Sequence, residues 1–163
     1  DRLAVRTYVM PWDEVVIREA LLREHYRGGQ SFFVVPRISD LAEVEEYLRD
    51  NVPEVKFVTA HGQMAAGEIE ERMTAFYDKR YDVLLSTTII ESGLDIPSAN
   101  TLIVHRADRF GRIARKYERI WNAFEKTLVC RRVPGARTTA ECQAKCGVEF
   151  PGRRRCAGKL PHR

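Results

Sequence analysis

The stretch Tyr81–Pro97, YDVLLSTTIIESGLDIP, decides how the rest of the chain is read. Val83, Leu84 and Leu85 form a short continuous apolar run after a charged lead-in, the pattern of a strand covered on both faces inside a parallel sheet. Ser86, Thr87 and Thr88 follow where such a strand ends. In open α/β sheets ligands bind at the carboxyl ends of the strands, so hydroxyls in that place mark a candidate site. Hydroxyls also end many strands that bind nothing, and Thr87, Thr88 and Glu91 are open to that plainer reading. Gly93 tips the balance by supplying backbone free to approach a ligand, and Asp95 places a carboxylate two residues on. Pro97 then stops any helix.

Upstream of this stretch, strand and helix patterns alternate. Leu3–Val9 (LAVRTYV) alternates apolar and polar side chains and is expected to be a strand at a sheet edge, ended by Pro11. From Asp13 to Arg27 a helical stripe of Val16, Ile17, Ala20, Leu21 and Tyr26 recurs, with Asp13 placed to cap and Gly28-Gly29 to terminate. Phe32–Val35 reads as a buried strand closed by Pro36. The next helix has Leu41, Val44 and Leu48 on its core face, with Asp40 and Glu43 at capping-box spacing before it and Asn51 and Pro53 after it. Val55–Thr59 is the third strand, and His61-Gly62 turns the chain into a helix over Ala66–Tyr77, with Ile69, Met73 and Phe76 on one side. Downstream, Thr101–Val104 is a last strand. This βαβ rhythm predicts an α/β fold, a parallel sheet with helices on both faces.

The chain has 163 residues, 44% apolar and 31% charged, which suits one soluble domain with a real core. No apolar run approaches the length of a membrane span, and no signal peptide opens the chain. Asp1 leads directly into LAVRTYV, which reads like the middle of a protein, so a fragment is expected. The net charge of +4 conceals two unlike parts. Residues 1–111 carry 13 Lys+Arg against 19 Asp+Glu, or −6, and residues 112–163 carry 14 against 4, or +10. All four cysteines, Cys130, Cys142, Cys146 and Cys156, lie in the basic part. The cysteine-free first part makes a cytosolic setting the default.

Nucleotide-hydrolysing motors carry a phosphate-wrapping loop and a metal-binding acidic box. The phosphate-wrapping loop G-x-x-x-x-G-K-[ST] is absent, because the single Gly-Lys pair, Gly158-Lys159, is followed by Leu160 and lacks the upstream glycine. Asp13-Glu14-Val15-Val16 imitates a metal-binding acidic box, yet it follows Pro11-Trp12 at a helix start, where capping is the expected role. His61-Gly62-Gln63-Met64 sits between a strand and a helix. It is either a simple turn or a set of ligand-facing groups.

Taken together, RLAVRTYVMPWD, VIREALLRE, RGGQSFFVVPRISDL, HGQM, TTIIESGLDIPSANTLIV and RADRFG resemble the second RecA-like lobe of the transcription-repair coupling factors, bacterial superfamily 2 translocases on double-stranded DNA. The likeness covers residues 1–111. RecG-type branch-migration helicases have a similar motor, and the Gln of HGQM with the wording TTIIESGLDIP favours the coupling factors. The resemblance implies a RecA-like sheet and a set of contacts. Phe32–Arg37 is similar to motif IV, and His61–Met64 to a motif on the DNA side, so Arg37, His61, Gly62 and Gln63 are expected to face DNA. In the motif V-like loop, Thr87, Thr88 and Glu91 would lie on the DNA side, with Gly93 and Asp95 facing the nucleotide. ATP and Mg would be shared with a first RecA-like lobe. RNA polymerase and excision-repair proteins would be partners of the parent protein, in a bacterial cytoplasm, with no membrane involved.

After Gly111 the pattern breaks. The family continues with a Gln-containing helix start and motif VI, Q-x-x-G-R-x-G-R, whose arginines reach the ATP γ-phosphate. This chain reads RIARKYERIWNAFEKTL instead. Gly111-Arg112-Ile113-Ala114-Arg115 is at most a remnant, with Arg112 and Arg115 displaced by the lost spacing. Residues 116–128 fit a helix with Tyr117, Ile120, Trp121, Phe124 and Leu128 on one stripe. The cysteine spacing beside Arg153–Arg155 invites a zinc-binding, nucleic-acid-gripping reading, but the gaps are too irregular for paired zinc knuckles, and no metal site is assigned. A disordered or partly helical basic tail is the plainer alternative. A frameshifted or misjoined end explains the changes in charge, cysteine and periodicity together and is preferred. Without P-loop, acidic box or arginine finger, the chain alone is expected to be inactive as an ATPase. A non-enzymatic nucleic-acid-binding module and an inactive truncated product remain the rival readings.

Overall fold

Residues 6–87, 99–106 and 126–131 are described in a computed structural model. In chain order they form β1 (Arg6–Pro11), α1 (Glu14–Tyr26), β2 (Gln30–Val34), α2 (Ile38–Asn51), β3 (Phe57–Ala60), α3 (Ala66–Tyr77), β4 (Val83–Ser86), β5 (Ala99–His105) and β6 (Lys126–Arg131). The six strands make one sheet in the order β1-β6-β5-β2-β4-β3. Every pairing is parallel. The apolar run of β4 is hydrogen-bonded to β2 on one side and β3 on the other, and all four of its residues are buried. That is the doubly covered strand its unbroken hydrophobicity predicts.

Crossover handedness sorts the helices onto the faces. A strand, helix and parallel strand wind right-handed, so connections running in opposite directions across a sheet lie on opposite faces. The step from β1 to β2 and the step from β2 to β3 run the same way, and α1 and α2 share one face. There Ile17, Ala20 and Leu21 meet Leu41, Val44 and Leu48 over Phe33, Val35, Val83, Leu85 and Ile103. The step from β3 back to β4 reverses, and α3 lies on the other face. Its Phe76 packs edge-on against Phe32, ring centroids 5.4 Å apart. Helices thus cover both faces, as the alternating pattern predicts.

Local chemistry sets the helix ends. Asp13 Oδ1 accepts hydrogen bonds from the Val15 and Val16 amides at 3.0 and 3.2 Å, so the acidic-box lookalike is a helix cap. Gly28, at φ +79°, takes the left-handed position that ends α1. Next to it, a side chain on Gly29 would collide with the carboxylate of Glu24, which is buried and ion-paired to Arg27 at 2.9 Å. Glu24, not Tyr26, therefore completes the inner stripe of α1; Tyr26 is 73% exposed. The start of α2 also differs from its capping-box spacing. Its cap is Arg37, without a side-chain capping bond, and Asp40 is a buried residue of the first turn. The helix geometry spends the first-turn position on a carboxylate that meets the positive helix end from inside.

Two further corrections concern the ends of the sheet. β1 runs from Arg6 to Pro11 at a sheet edge, including the proline expected to stop it, and an edge strand tolerates a residue without an amide donor. Lys126–Leu128, read as the end of a helix, are instead backbone-paired in β6 between β1 and β5. The sheet therefore draws on residues from both sides of the charge break at Gly111. The rest of that helix reading, and Cys142, Cys146 and Cys156, lie outside the described residues.

At the amino ends of the strands, polar groups fasten one element to another. Gln30, buried at the start of β2, donates from Nε2 to the carbonyls of Phe76 at 2.7 Å and Tyr81 at 2.8 Å, tying the end of α3 and the lead-in to β4. Arg18 forks onto Glu54 at 2.9 and 2.5 Å and also donates to the Asn51 carbonyl at 2.6 Å, joining α1 to the loop before β3. The hydrogen bonds from Arg18 hold the Glu54 carboxyl down at about 2, against 4.5 for the free group.

Gln30→Leu strands two carbonyls and is expected to cost about 2 kcal/mol or more, read as a lower urea midpoint at unchanged slope. Glu54, with its folded pKa depressed, contributes stability that is complete above about pH 4.5 and disappears as pH falls through about 2. Acid titrations of the parent and Glu54→Gln should accordingly separate above pH 4.5 and converge near pH 2.

Candidate functional site at the carboxyl edge of the sheet

Because all the strands run in parallel, the segments that follow β5, β2, β4 and β3 emerge side by side along one edge. In that order they present Arg106, Arg37, Thr87 and His61. Four of the residues picked out by sequence thus come from three separate loops onto one edge: Arg37, Thr87, and the His61 turn with its Gln63. Thr87 directly follows β4 and is 8% exposed, so it sits in the floor of the edge. Arg37 is exposed at the start of α2.

His61–Met64 is a turn in its geometry. The Met64 amide donates to the His61 carbonyl at 3.1 Å, and the Gln63 amide donates to His61 Nδ1 at 3.3 Å. That second bond orients the imidazole, while Gly62 and Gln63 stay exposed beside it. The turn and the ligand-facing reading are therefore compatible. Thr88, Glu91, Gly93 and Asp95 lie outside the described residues.

Three residues at this edge were not singled out from the sequence. Asp40, on the first turn of α2, is buried between two guanidinium groups, with Arg37 Nε 3.7 Å from Oδ2 and Arg106 Nη1 3.8 Å from Oδ1. Arg106 follows β5 and holds φ at +50°, a left-handed backbone that a bulky residue keeps only when its surroundings require it. Beneath them His105, buried at the end of β5, meets the Trp12 ring edge-on at 4.7 Å; Trp12 in turn contacts Tyr47 at 5.2 Å and Phe33 at 6.2 Å. His105 and Arg106 had a sequence signal. They are the polar residues ending an apolar strand, the same cue that marked Ser86–Thr88.

The chemistry available here is the gripping of oxyanions. Guanidinium forks, hydroxyls and backbone amides at strand ends bind phosphate oxygens without reading bases. Among the described residues no group of three His, Cys, Asp or Glu side chains is placed to hold a metal ion. None of their helices is long and apolar enough to cross a membrane. A separate open groove of about 910 Å³ runs along the outer side of β3, lined by Glu45, Arg49, Thr59, Glu68, Arg72 and Arg80 among others. No sequence-designated residue lines it.

The fold matches a known family. The chain belongs to the helicase conserved C-terminal domain family, whose model matches residues 14–124, and is the C-terminal lobe of a superfamily 2 helicase motor. Its curated relatives are transcription-repair-coupling factors. That of Rickettsia bellii is 57% identical over 111 residues, 68% of this chain and 10% of the relative. That of Myxococcus xanthus is 47% identical over 152 residues, 91% of this chain and 13% of the relative. Among solved structures, RecG bound to a three-way DNA junction has a TM-score of 0.67 and 31% identity over 91% of this chain and 21% of that one. The C-terminal domain of Saccharomyces cerevisiae Dbp5, bound to Gle1, has a TM-score of 0.54 at 16% identity and shares the fold. The chain spans about a tenth of the length of the coupling factors it matches.

Proposed function

We propose that this chain serves as the second motor lobe of an ATP-dependent translocase on double-stranded DNA, acting in transcription-coupled repair. The observation that carries this reading is the 57% identity to a coupling factor across 111 residues, and the family match over residues 14–124 contains every loop of the polar carboxyl edge described above. On this reading Arg37, Thr87, Thr88, Glu91 and the His61-Gly62-Gln63 turn face one DNA strand. Gly93 and Asp95 face the nucleotide, which a first RecA-like lobe and Mg complete. ATP hydrolysis supplies the free energy of movement; this lobe contributes grip and alignment. RNA polymerase and the excision-repair proteins are partners of the parent protein, in the bacterial cytoplasm.

The dimensions suit the task. From β5 to β3 the edge crosses three strand spacings, about 14 Å. One DNA strand passes a phosphate for roughly each 3.4 Å of helix axis, so about four phosphates lie within that reach. A net charge of −6 over residues 1–111 argues against a broad basic binding face and for a few placed contacts.

Duplex binding by the chain is expected to be indifferent to sequence, with affinity falling on salt with a log–log slope of about −2 to −4. Thr87→Val, which replaces the hydroxyl with a methyl group of similar size, should weaken binding about tenfold in fluorescence anisotropy, and an unchanged affinity would remove Thr87 from the interface. Deleting residues 132–163, which lie beyond β6, separates this reading from a binding module built on the basic tail. The lobe reading keeps duplex affinity within about threefold, whereas the tail reading loses it. The purified chain is expected to turn over no ATP with or without duplex DNA; turnover that persists through further purification and vanishes in Asp95→Ala overturns the assignment of an incomplete motor.

A further inference from the structure

We propose that Arg106 is a second backbone-phosphate contact that acts together with Arg37, the two guanidinium groups being held side by side by the buried carboxylate of Asp40. The proposal rests on the DNA-facing assignment of this edge and adds to it two residues, Arg106 and Asp40, that the sequence reading did not assign to the DNA. The argument begins with what the arginines leave unspent. Each lies within 4 Å of a different oxygen of Asp40, at 3.7 and 3.8 Å, so both can reach one small anion. Those distances are those of ion pairs beyond hydrogen-bond length, and neither guanidinium donates a hydrogen bond among the described residues. Among the described residues the five guanidinium donors of Arg106 and the five of Arg37 therefore carry no hydrogen bond.

Charge balance points the same way. One carboxylate neutralises one arginine, so the cluster carries a surplus of about one positive charge at neutral pH, and Asp40 Oδ2 is buried without a hydrogen-bond partner. A structural salt bridge would place a donor on that oxygen. The start of α2 adds to the field. Arg37 caps it without a side-chain hydrogen bond, at the end of the helix where the macrodipole is positive. The backbone of Arg106 completes the case. A residue kept at φ +50° is strained, and glycine would fit there without cost. An arginine with 18% of its side chain exposed is retained in that conformation beside an already paired carboxylate. Its guanidinium, with the donors it still holds, is the feature that glycine would lack.

The test uses duplex DNA and the full chain, with affinity measured by anisotropy across a salt series and melting followed by circular dichroism. Arg106→Gln should lower affinity about tenfold and make the salt slope shallower by about one, equally for unrelated duplex sequences. Arg106→Gly should weaken binding as much while melting close to the parent, which separates grip from fold. Arg80→Gln, at the opposite end of β4, removes the same charge and should leave both readings unchanged. Asp40→Asn decides the positioning role. If Asp40 only repels DNA, affinity rises when its charge is removed; if it holds the two arginines in place, affinity falls despite the added positive charge. Wild-type binding that is indifferent to Arg106→Gln and Arg106→Gly overturns this inference and leaves the lobe assignment standing. Absence of duplex binding by the unaltered chain overturns both.

Discussion

Parallel hydrogen bonding along β4 is the constraint on which the rest of the structure depends. With β2 on one side and β3 on the other, a four-residue strand is hidden on both faces and both edges, so its run Val83–Leu85 is apolar and polarity enters only at its end, Ser86. Parallel pairing also requires each strand to be reached by a crossover, and the hand of the crossovers sends α1 and α2 to one face and α3 to the other. A third consequence matters most for function. Strands that all run one way deliver all their following loops to one edge, and so bring Arg37, His61, Thr87 and Arg106 together although up to 69 positions separate them in sequence.

The two edges of the sheet use polar groups differently. At the amino edge they are consumed internally. Gln30 bridges two carbonyls, Asp82 accepts from the Lys56 amide at 2.9 Å and pairs with His25 at 3.1 Å, and Arg18 is spent on Glu54 and Asn51. At the carboxyl edge Arg37 and Arg106, among the described residues, hold only long ion pairs to Asp40. An edge that is fully bonded lends rigidity, and one that keeps its donors available can exchange them for those of a ligand. Holding such donors near a buried carboxylate prevents them from searching many rotamers, which reduces the ordering cost of binding.

Much of the fold was legible in the residues. The helix Ala66–Tyr77 falls where its stripe and the preceding turn place it, and Asp13 and Gly28 cap α1 as their chemistry requires. The failures have physical causes. Tyr26 fits a helical stripe by spacing, yet Glu24 fills the inner position because Gly29 leaves room for its carboxylate and Arg27 neutralises it. Asp40 looks like a cap because capping residues and buried first-turn acids share one sequence signal. Lys126–Leu128 read equally well as helix or strand, and long-range pairing with β1 and β5 chose the strand.

By itself the sequence determined the α/β class, the both-face burial of Val83–Leu85, the caps of α1 and the hydroxyl after β4 at Thr87. These are local matters, set by side-chain period, backbone freedom at glycine and the stop at proline. Only the tertiary structure decided that Asp40 stands between Arg37 and Arg106, that β6 enters the sheet between β1 and β5, and that α3 lies opposite the other helices. No periodicity encodes those relations, because each depends on which distant strands exchange hydrogen bonds. In YDVLLSTTIIESGLDIP the sequence marked where a site begins, and the sheet order supplied the arginines that stand beside it.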